Sequence, residues 1–262
     1  MSDMLSIVRA GTVARVTLNR PEVRNAFSAE LIAELQATFA AFADEPPERL
    51  RAVVLAGAGR SFCAGADIEW MRAALRMSVA DNEADADRLA EMLATIDACP
   101  VPVIVRVQGA ALGGGMGLCA VADMVVASSD AVFGFTETKL GILPAVIAPF
   151  VLAKIGESAA RRLFTTGERF DAARALAIGL VHEVVDDEAA LDERVRALLT
   201  EILTAGPNAA RAAKAIIRDL RGRSSADGRR LSVERIARLR TAPEGQEGLT
   251  AFLEKRPPSW RD

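Results

Sequence analysis

The sequence predicts an α/β fold of stacked ββα-like units that gives way to an α-helical C-terminal region, and three observations carry that expectation. A strand, a glycine turn and a helix follow one another twice, at Ala64-Gly65-Ala66 and at Gly113-Gly114-Gly115. Short apolar, strand-like runs alternate with helical segments as far as Val185. Beyond Val185 nothing reads as a strand. With no low-complexity linker between the parts, the expected division is a core over 1–195 and a helical region over 196–262, joined as one unit.

In chain order, "LSIVRAGTVARVTLNRP" alternates as two strands turning at Ala10-Gly11 and stopped by Pro21, which has no N–H to give a ladder. Ser28 then caps a helix whose apolar residues Leu31, Ile32, Leu35, Phe39 and Phe42 recur at helical spacing, until "DEPPE" stops it. "LRAVVLAGAG" reads as a buried strand, and "RSFCAGADIEWMRAAL" as a loop entering a helix capped by Asp67. Ser78 to Ala98 forms a long amphipathic helix that Pro100 and Pro102 end. "VPVIVRVQG" is a strand, followed by a glycine-rich turn and a helix from Gly114, and "ADMVVASSDAVFGF" holds two short strands. From "PFVLAKIG" onward helices dominate, and the apolar stripe of "ALLTEILTAGPNAARAAKAIIRDL" suits packing on the core or on another subunit.

Composition narrows the function classes. The 32 basic and 35 acidic residues leave a net charge of −3, and no basic cluster is interleaved with aromatics, so a nucleic-acid surface is not indicated. No apolar run approaches the roughly 20 residues of a membrane span, and the N-terminus lacks an export signal, so a cytoplasmic protein is expected. Cys63, Cys99 and Cys119 are odd in number and widely spaced, against a disulfide framework or a paired-cysteine zinc site. His182 is the only histidine, which removes multi-histidine metal sites and reads as a structural residue at a strand edge.

The glycine turns carry the chemistry. The first N–H groups of a helix lack intrahelical partners, and glycine lets an oxygen approach them without meeting a Cβ. Such a site holds a phosphate or a developing oxyanion, unless the glycines merely let helix and sheet approach. Gly115-Met116-Gly117-Leu118-Cys119-Ala120 matches the dinucleotide pattern G-x-G-x-x-A, with Glu137 downstream as ribose acid. However, "VPVIVRVQG" ends too far before Gly115 for the tight first turn, and "FGFTETKLGILP" is no second-strand terminus. The oxyanion reading instead pairs two turns: if the N–H groups of Ala66 and Gly114 converge, they grip one oxygen, as a thioester carbonyl requires on becoming an enolate. Each such donor contributes about 3 kcal/mol in the transition state.

"SFCAGADIEWM", "VQGAALGGGMGLCAVAD", "FGFTETKLGILPA" and "GLTAFLEKRPPSW", in that order, resemble the crotonase (enoyl-CoA hydratase/isomerase) superfamily over essentially the whole chain. The resemblance implies a spiral of ββα units with a helical C-terminal trimerisation region. It also implies a homotrimer or homohexamer (a dimer of trimers), and action on acyl-CoA thioesters without metal or redox cofactor. Ala66 and Gly114 match the oxyanion donors, Ala64 the carbonyl that meets adenine, and Arg24 a basic residue near the CoA phosphates. Asp67 and Ile68 fall in the same CoA-contacting segment, although Asp67 also reads as a helix cap. Phe252 and Lys255 match residues that reach CoA, typically from a neighbouring subunit. Trp70 and Met71 are placed to line the acyl pocket or the core.

The carboxylates depart from the commonest hydratase pattern of two glutamates. Glu137 matches one, while Gly117 stands where the other belongs, one turn along the helix from Gly114 and on its face. A single base suffices to move a double bond, taking a proton at C2 and returning it at C4. Hydration by Glu137 alone requires it to activate water and deliver that water's proton to Cα. Toward hydration points a similarity of "FTETKLGILPAVIAPFVLAKIG" and "ADIEWM" to bacterial hydratases of the methylglutaconyl-CoA or carboxygeranoyl-CoA type, which implies room at Gly117 for a branched or second-carboxyl acyl group. Hydratase, 3,2-enoyl-CoA isomerase and non-catalytic acyl-CoA binder all remain open at this point. Glu69 and Glu157 are acidic candidates for a replacement proton donor, against a plain role as solvated charges; Asp123 reads as a structural group at its helix end, and Cys63 as a small apolar one.

Overall fold

The computed structural model describes residues 4–261. β1 (Leu5–Ala10) and β2 (Val13–Leu18) form the expected hairpin, with Ala10 opposite Val13. Ser28 caps α1 (Ala29–Ala43), its Oγ accepting from the Leu31 N–H at 3.3 Å, and the helix buries the five apolar residues that the spacing nominates. β3 (Ala52–Gly57) is buried throughout, and Asp67 caps α2 (Ile68–Ala74). α3 (Val79–Asp97) opens on a reciprocal cap between Ser78 and Asp81. There follow β4 (Val103–Val107), β5 (Ala110–Leu112), α4 (Gly114–Val121), β6 (Met124–Ser128) and β7 (Val132–Gly134). The chain continues through α5 (Ala148–Thr166), broken at Gly156, then β8 (Arg169–Asp171), α6 (Ala172–Ala177) and β9 (Glu183–Val185). Four helices complete it: α7 (Glu188–Thr204), α8 (Pro207–Asp219), α9 (Ser225–Thr241) and α10 (Pro243–Glu254).

Two strands escape the sequence reading. β5 lies inside what reads as a glycine turn, and β8 inside a helical stretch. Each is three residues long, too short for alternation to register.

The strands form a six-stranded sheet in the order β1-β2-β3-β4-β6-β9, parallel except for the opening hairpin, and a small sheet β5-β7-β8. Two isolated parallel bridges, Phe27 with Ala66 and Cys63 with Ala111, continue the small sheet backwards. The chain therefore repeats one circuit: a strand in the large sheet, an extended segment in the second layer, then a helix. β2, β3, β4 and β6 begin successive circuits, and equivalent points of neighbouring circuits lie side by side.

The main core fills the space between the layers and α1, α3, α4 and α5, while Val54, Ile104 and Val126 turn outward to meet Leu191 and Val195 of α7. Arg106 fastens α7 to β4: it is 4% exposed, with Nε donating to Asp192 at 2.7 Å and Nη1 to Gln108 at 2.9 Å. α7 runs unbroken across 195 and 196, so the expected division falls inside a helix packed on the sheet. α8 and α9 bury no residue and α10 buries Ala251 alone.

His182 and Asp123 are both structural. The Val125 N–H donates to His182 Nδ1 at 2.9 Å and the His182 N–H to the Val125 carbonyl at 2.9 Å, while burial pushes the imidazole pKa down. Asp123 sits just past α4 rather than in it, where its Oδ2 accepts from the Val103 N–H at 2.7 Å and from Lys214 Nζ at 2.6 Å.

Candidate active site

Because equivalent points of neighbouring circuits are adjacent, the turns holding Ala66, Gly114 and Glu137 come from three consecutive circuits. The Phe27 N–H donates to Gly65 O at 2.7 Å and Phe27 O accepts from the Asp67 N–H at 2.9 Å. In a parallel ladder that leaves the Ala66 N–H pointing away from Phe27, toward the next segment. That segment pairs only as far as Leu112, whose N–H reaches Cys63 O at 2.9 Å, before the chain turns off into α4. Among the described residues neither the Ala66 nor the Gly114 N–H donates to a backbone carbonyl.

Glycines hold the two turns together. Gly65 and Gly113 have φ of +95° and +49°, and a Cβ on Gly65 would come 3.1 Å from Leu112 O and 3.7 Å from Gly113 Cα. A Cβ on Gly114 would lie 2.6 Å from two ring carbons of Phe27, which is fully buried, so that position admits no side chain.

Glu137 lies in the short 3-10 turn Thr136–Leu140 after β7. Its carboxylate reaches the Gly113 turn, since a Cβ there would be 3.4 Å from Oε1. Oε2 is buried without a hydrogen-bond partner, and burial pushes the carboxyl pKa above its ordinary value. An acid made easier to protonate, beside backbone donors, suits a group that both takes up and returns a proton.

Ala64, Ala66, Gly114, Glu137, Trp70 and Met71 line one cavity of about 300 Å³. That volume lies at the small end of the range for ligand pockets, about 300–1,000 Å³. Ala64 donates its N–H to Arg24 O at 3.0 Å, and its own carbonyl accepts from no backbone N–H among the described residues. Arg24 and Ile68 are exposed, Arg24 in a left-handed turn with φ of 55°.

Other nominated residues are placed elsewhere. Asp67 is occupied: Oδ1 accepts from the Glu69 N–H at 2.8 Å and Oδ2 from Arg20 Nη2 at 2.7 Å. Burial opposes its ionisation, but those bonds outweigh it and hold the pKa below the usual carboxylate range. Phe252 and Lys255 stand on the exposed end of α10 and do not line the cavity. Glu69 and Glu157 pair with Arg72 and Arg161 on exposed helix faces, also away from it. Cys63 is fully buried and its thiol is pushed up to about 12, which removes it as a nucleophile.

Gly117 leaves no room behind it. A Cβ there would be 2.6 Å from Ile147 Cγ2 and 3.3 Å from Leu93 Cδ1 and Cδ2, and both side chains are buried. The expected space for a branched or second-carboxyl acyl group is filled by hydrocarbon, with Ile147 itself forming part of the cavity wall. Among the lining residues that the sequence reading passed over are Asp85, hidden in a helix crowded with acids, and Phe27, which reads only as loop.

Two N–H groups without a backbone acceptor and a buried carboxylate thus line one cavity. The enoyl-CoA hydratase/isomerase family profile matches residues 9–262, and the chain belongs to that family, whose members act on acyl-CoA thioesters. It is 39% identical to Pseudomonas aeruginosa AtuE, with a TM-score of 0.96 over 99% of this chain and 100% of that one. To an enoyl-CoA hydratase from Shewanella pealeana it is 38% identical, with a TM-score of 0.93 over 98% of this chain and 96% of that one. A bovine mitochondrial protein named enoyl-CoA hydratase domain-containing protein 2 is 35% identical over 252 residues, 94% of this chain and 83% of its own. The fold is the crotonase fold with its helical C-terminal region. No described helix is long and apolar enough to cross a membrane.

Proposed function

We propose that this chain hydrates 2,3-enoyl-CoA thioesters with Glu137 as its acid/base group. The observation that carries the reading is the Glu137 carboxylate, partnerless at Oε2 and raised in pKa, in the same cavity as the Ala66 and Gly114 N–H groups. Glu137 draws a proton from water as the oxygen adds to C3, the thioester oxygen takes the negative charge between the two N–H groups, and the proton passes to C2. Proton transfer and oxyanion stabilisation need no metal or redox group, so coenzyme A enters only as part of the substrate.

The apolar filling beside Gly117 favours a second reading, 3,2-enoyl-CoA isomerisation, because the attacking water would lack a second carboxylate to anchor it. The same filling removes the reason to expect a branch at that position. Assays with crotonyl-CoA, 3-methylglutaconyl-CoA and a 3-enoyl-CoA, read by enone absorbance and product mass, separate the readings. A mass gain of one water supports hydration, and a shifted double bond at constant mass supports isomerisation. Glu137→Gln should lose on the order of 10²–10⁴-fold in turnover in either case, and near-wild-type turnover would overturn the assignment.

The assembly proposed is a homotrimer or homohexamer in a reducing cytoplasm. Val233 and Ile236 of α9 and Leu249, Phe252 and Leu253 of α10 lie exposed, apolar area that a second copy would cover, and three buried free cysteines suit a reducing compartment. Light scattering after size exclusion would refute it by returning the mass of one chain.

A further inference from the structure

We propose that Asp85 forms a polar subsite for the far end of the acyl group, and that the preferred thioester carries a hydroxyl there. This rests on the assignment of the cavity as the acyl pocket.

Asp85 is 8% exposed and shares the cavity with Glu137, among Trp70, Met71, Ala74 and Leu89. A carboxylate is costly to bury in such surroundings unless its charge is balanced. Arg88 balances it, with Nη2 donating to Oδ1 at 2.7 Å, yet the Arg88 side chain is 55% exposed and forms no part of the cavity wall. Oδ2 accepts from no donor among the described residues. The cavity thus contains a neutralised ion pair with one acceptor oxygen left over.

Asp85 does not stand where the second glutamate of the family pattern belongs. The space beside Gly117 is filled by Leu93, eight residues further along α3, which is about 12 Å along a helix axis. Asp85 thus stands away from the Gly117 position, where it would meet the acyl tail rather than occupy the place of the family's second glutamate. Because Arg88 already balances the charge, the free oxygen calls for a neutral donor rather than a cation, and an ionised terminal carboxylate has no proton to donate. A hydroxyl satisfies both conditions.

The test compares the purified full chain on 8-hydroxyoct-2-enoyl-CoA, on non-2-enoyl-CoA, where a methyl replaces the hydroxyl, and on the mono-CoA thioester of non-2-enedioic acid. The expected order of kcat/KM is hydroxyl over methyl by at least tenfold, with the diacid lowest. Asp85→Leu should reverse the first preference, raising the methyl substrate and lowering the hydroxyl one. Asp85→Asn, which keeps an acceptor oxygen, should retain part of it and serves as well if the leucine variant does not fold. Dissociation constants for the saturated analogues give the same comparison without turnover, so a failure of the proposed reaction and a failure of the subsite remain distinguishable. Equal treatment of hydroxyl and methyl, a preference that survives Asp85→Leu, or a best substrate bearing the carboxylate would each overturn the proposal.

Discussion

Gly117→Ala tests whether the position of the absent carboxylate is open or filled. An added Cβ would sit 2.6 Å from Ile147 Cγ2 and 3.3 Å from two carbons of Leu93. Carbon atoms pack best at about 3.5–4.0 Å, so the first contact is strongly repulsive. Ile147 is 2% exposed and Leu93 is fully buried, and the Cγ2 of a β-branched residue cannot swing away without turning the whole side chain. Overpacking of this kind costs about 1–3 kcal/mol. Replacing a helical glycine by alanine contributes about 1 kcal/mol in the opposite direction. The net expectation is a loss of about 0–2 kcal/mol, read as a lowered urea midpoint at unchanged slope and fixed protein concentration. In an Ile147→Ala background the worst contact disappears, and the same substitution should turn stabilising by about 1 kcal/mol. Gly117→Glu meets the same wall with a charge to bury, so it should not install a second catalytic acid. Stabilisation by Gly117→Ala in the wild-type background would refute the packing argument and restore the idea of an open branch pocket.

Other expectations concern the loop that carries Ala66. Asn25 is fully buried, accepts from the Arg20 N–H at 2.9 Å, and donates to Ala58 O at 2.9 Å and Ser61 O at 2.8 Å. Asn25→Ala should therefore cost about 1–3 kcal/mol for each buried group left unpaired, measured by urea denaturation. The Asp67 pKa is depressed in the folded state, so its contribution to stability is present above the unfolded value and lost as pH falls through the folded one. The stability gap between wild type and Asp67→Asn should accordingly be constant near neutrality and close in acid; a gap that widens in acid would contradict the Arg20 pairing. Since burial raises Glu137, kcat/KM should fall on the acid side with an apparent pKa above the ordinary glutamate value of 4.5. A limb at or below that value would place Glu137 in a wetter setting.

The sequence by itself determined the local structure and the parts list. Helical spacing in α1, the caps at Ser28 and Asp67, the start of α3 near Ser78, and the two glycine turns were legible because they depend on neighbours within a few residues. β5 and β8 were not, because three residues become a strand only when another segment supplies the ladder. The resemblance located Ala66, Gly114 and Glu137 along the chain, but their common cavity exists because three consecutive circuits lie side by side. Tertiary structure also decided what Gly117 means. A missing side chain reads in sequence as a vacancy, and only the packing of residues 93 and 147 against it shows hydrocarbon there. Asp85 lay equally out of reach: in a helix rich in acids, only burial distinguishes a solvated charge from one facing the acyl pocket, and burial is set by parts of the chain far away in sequence.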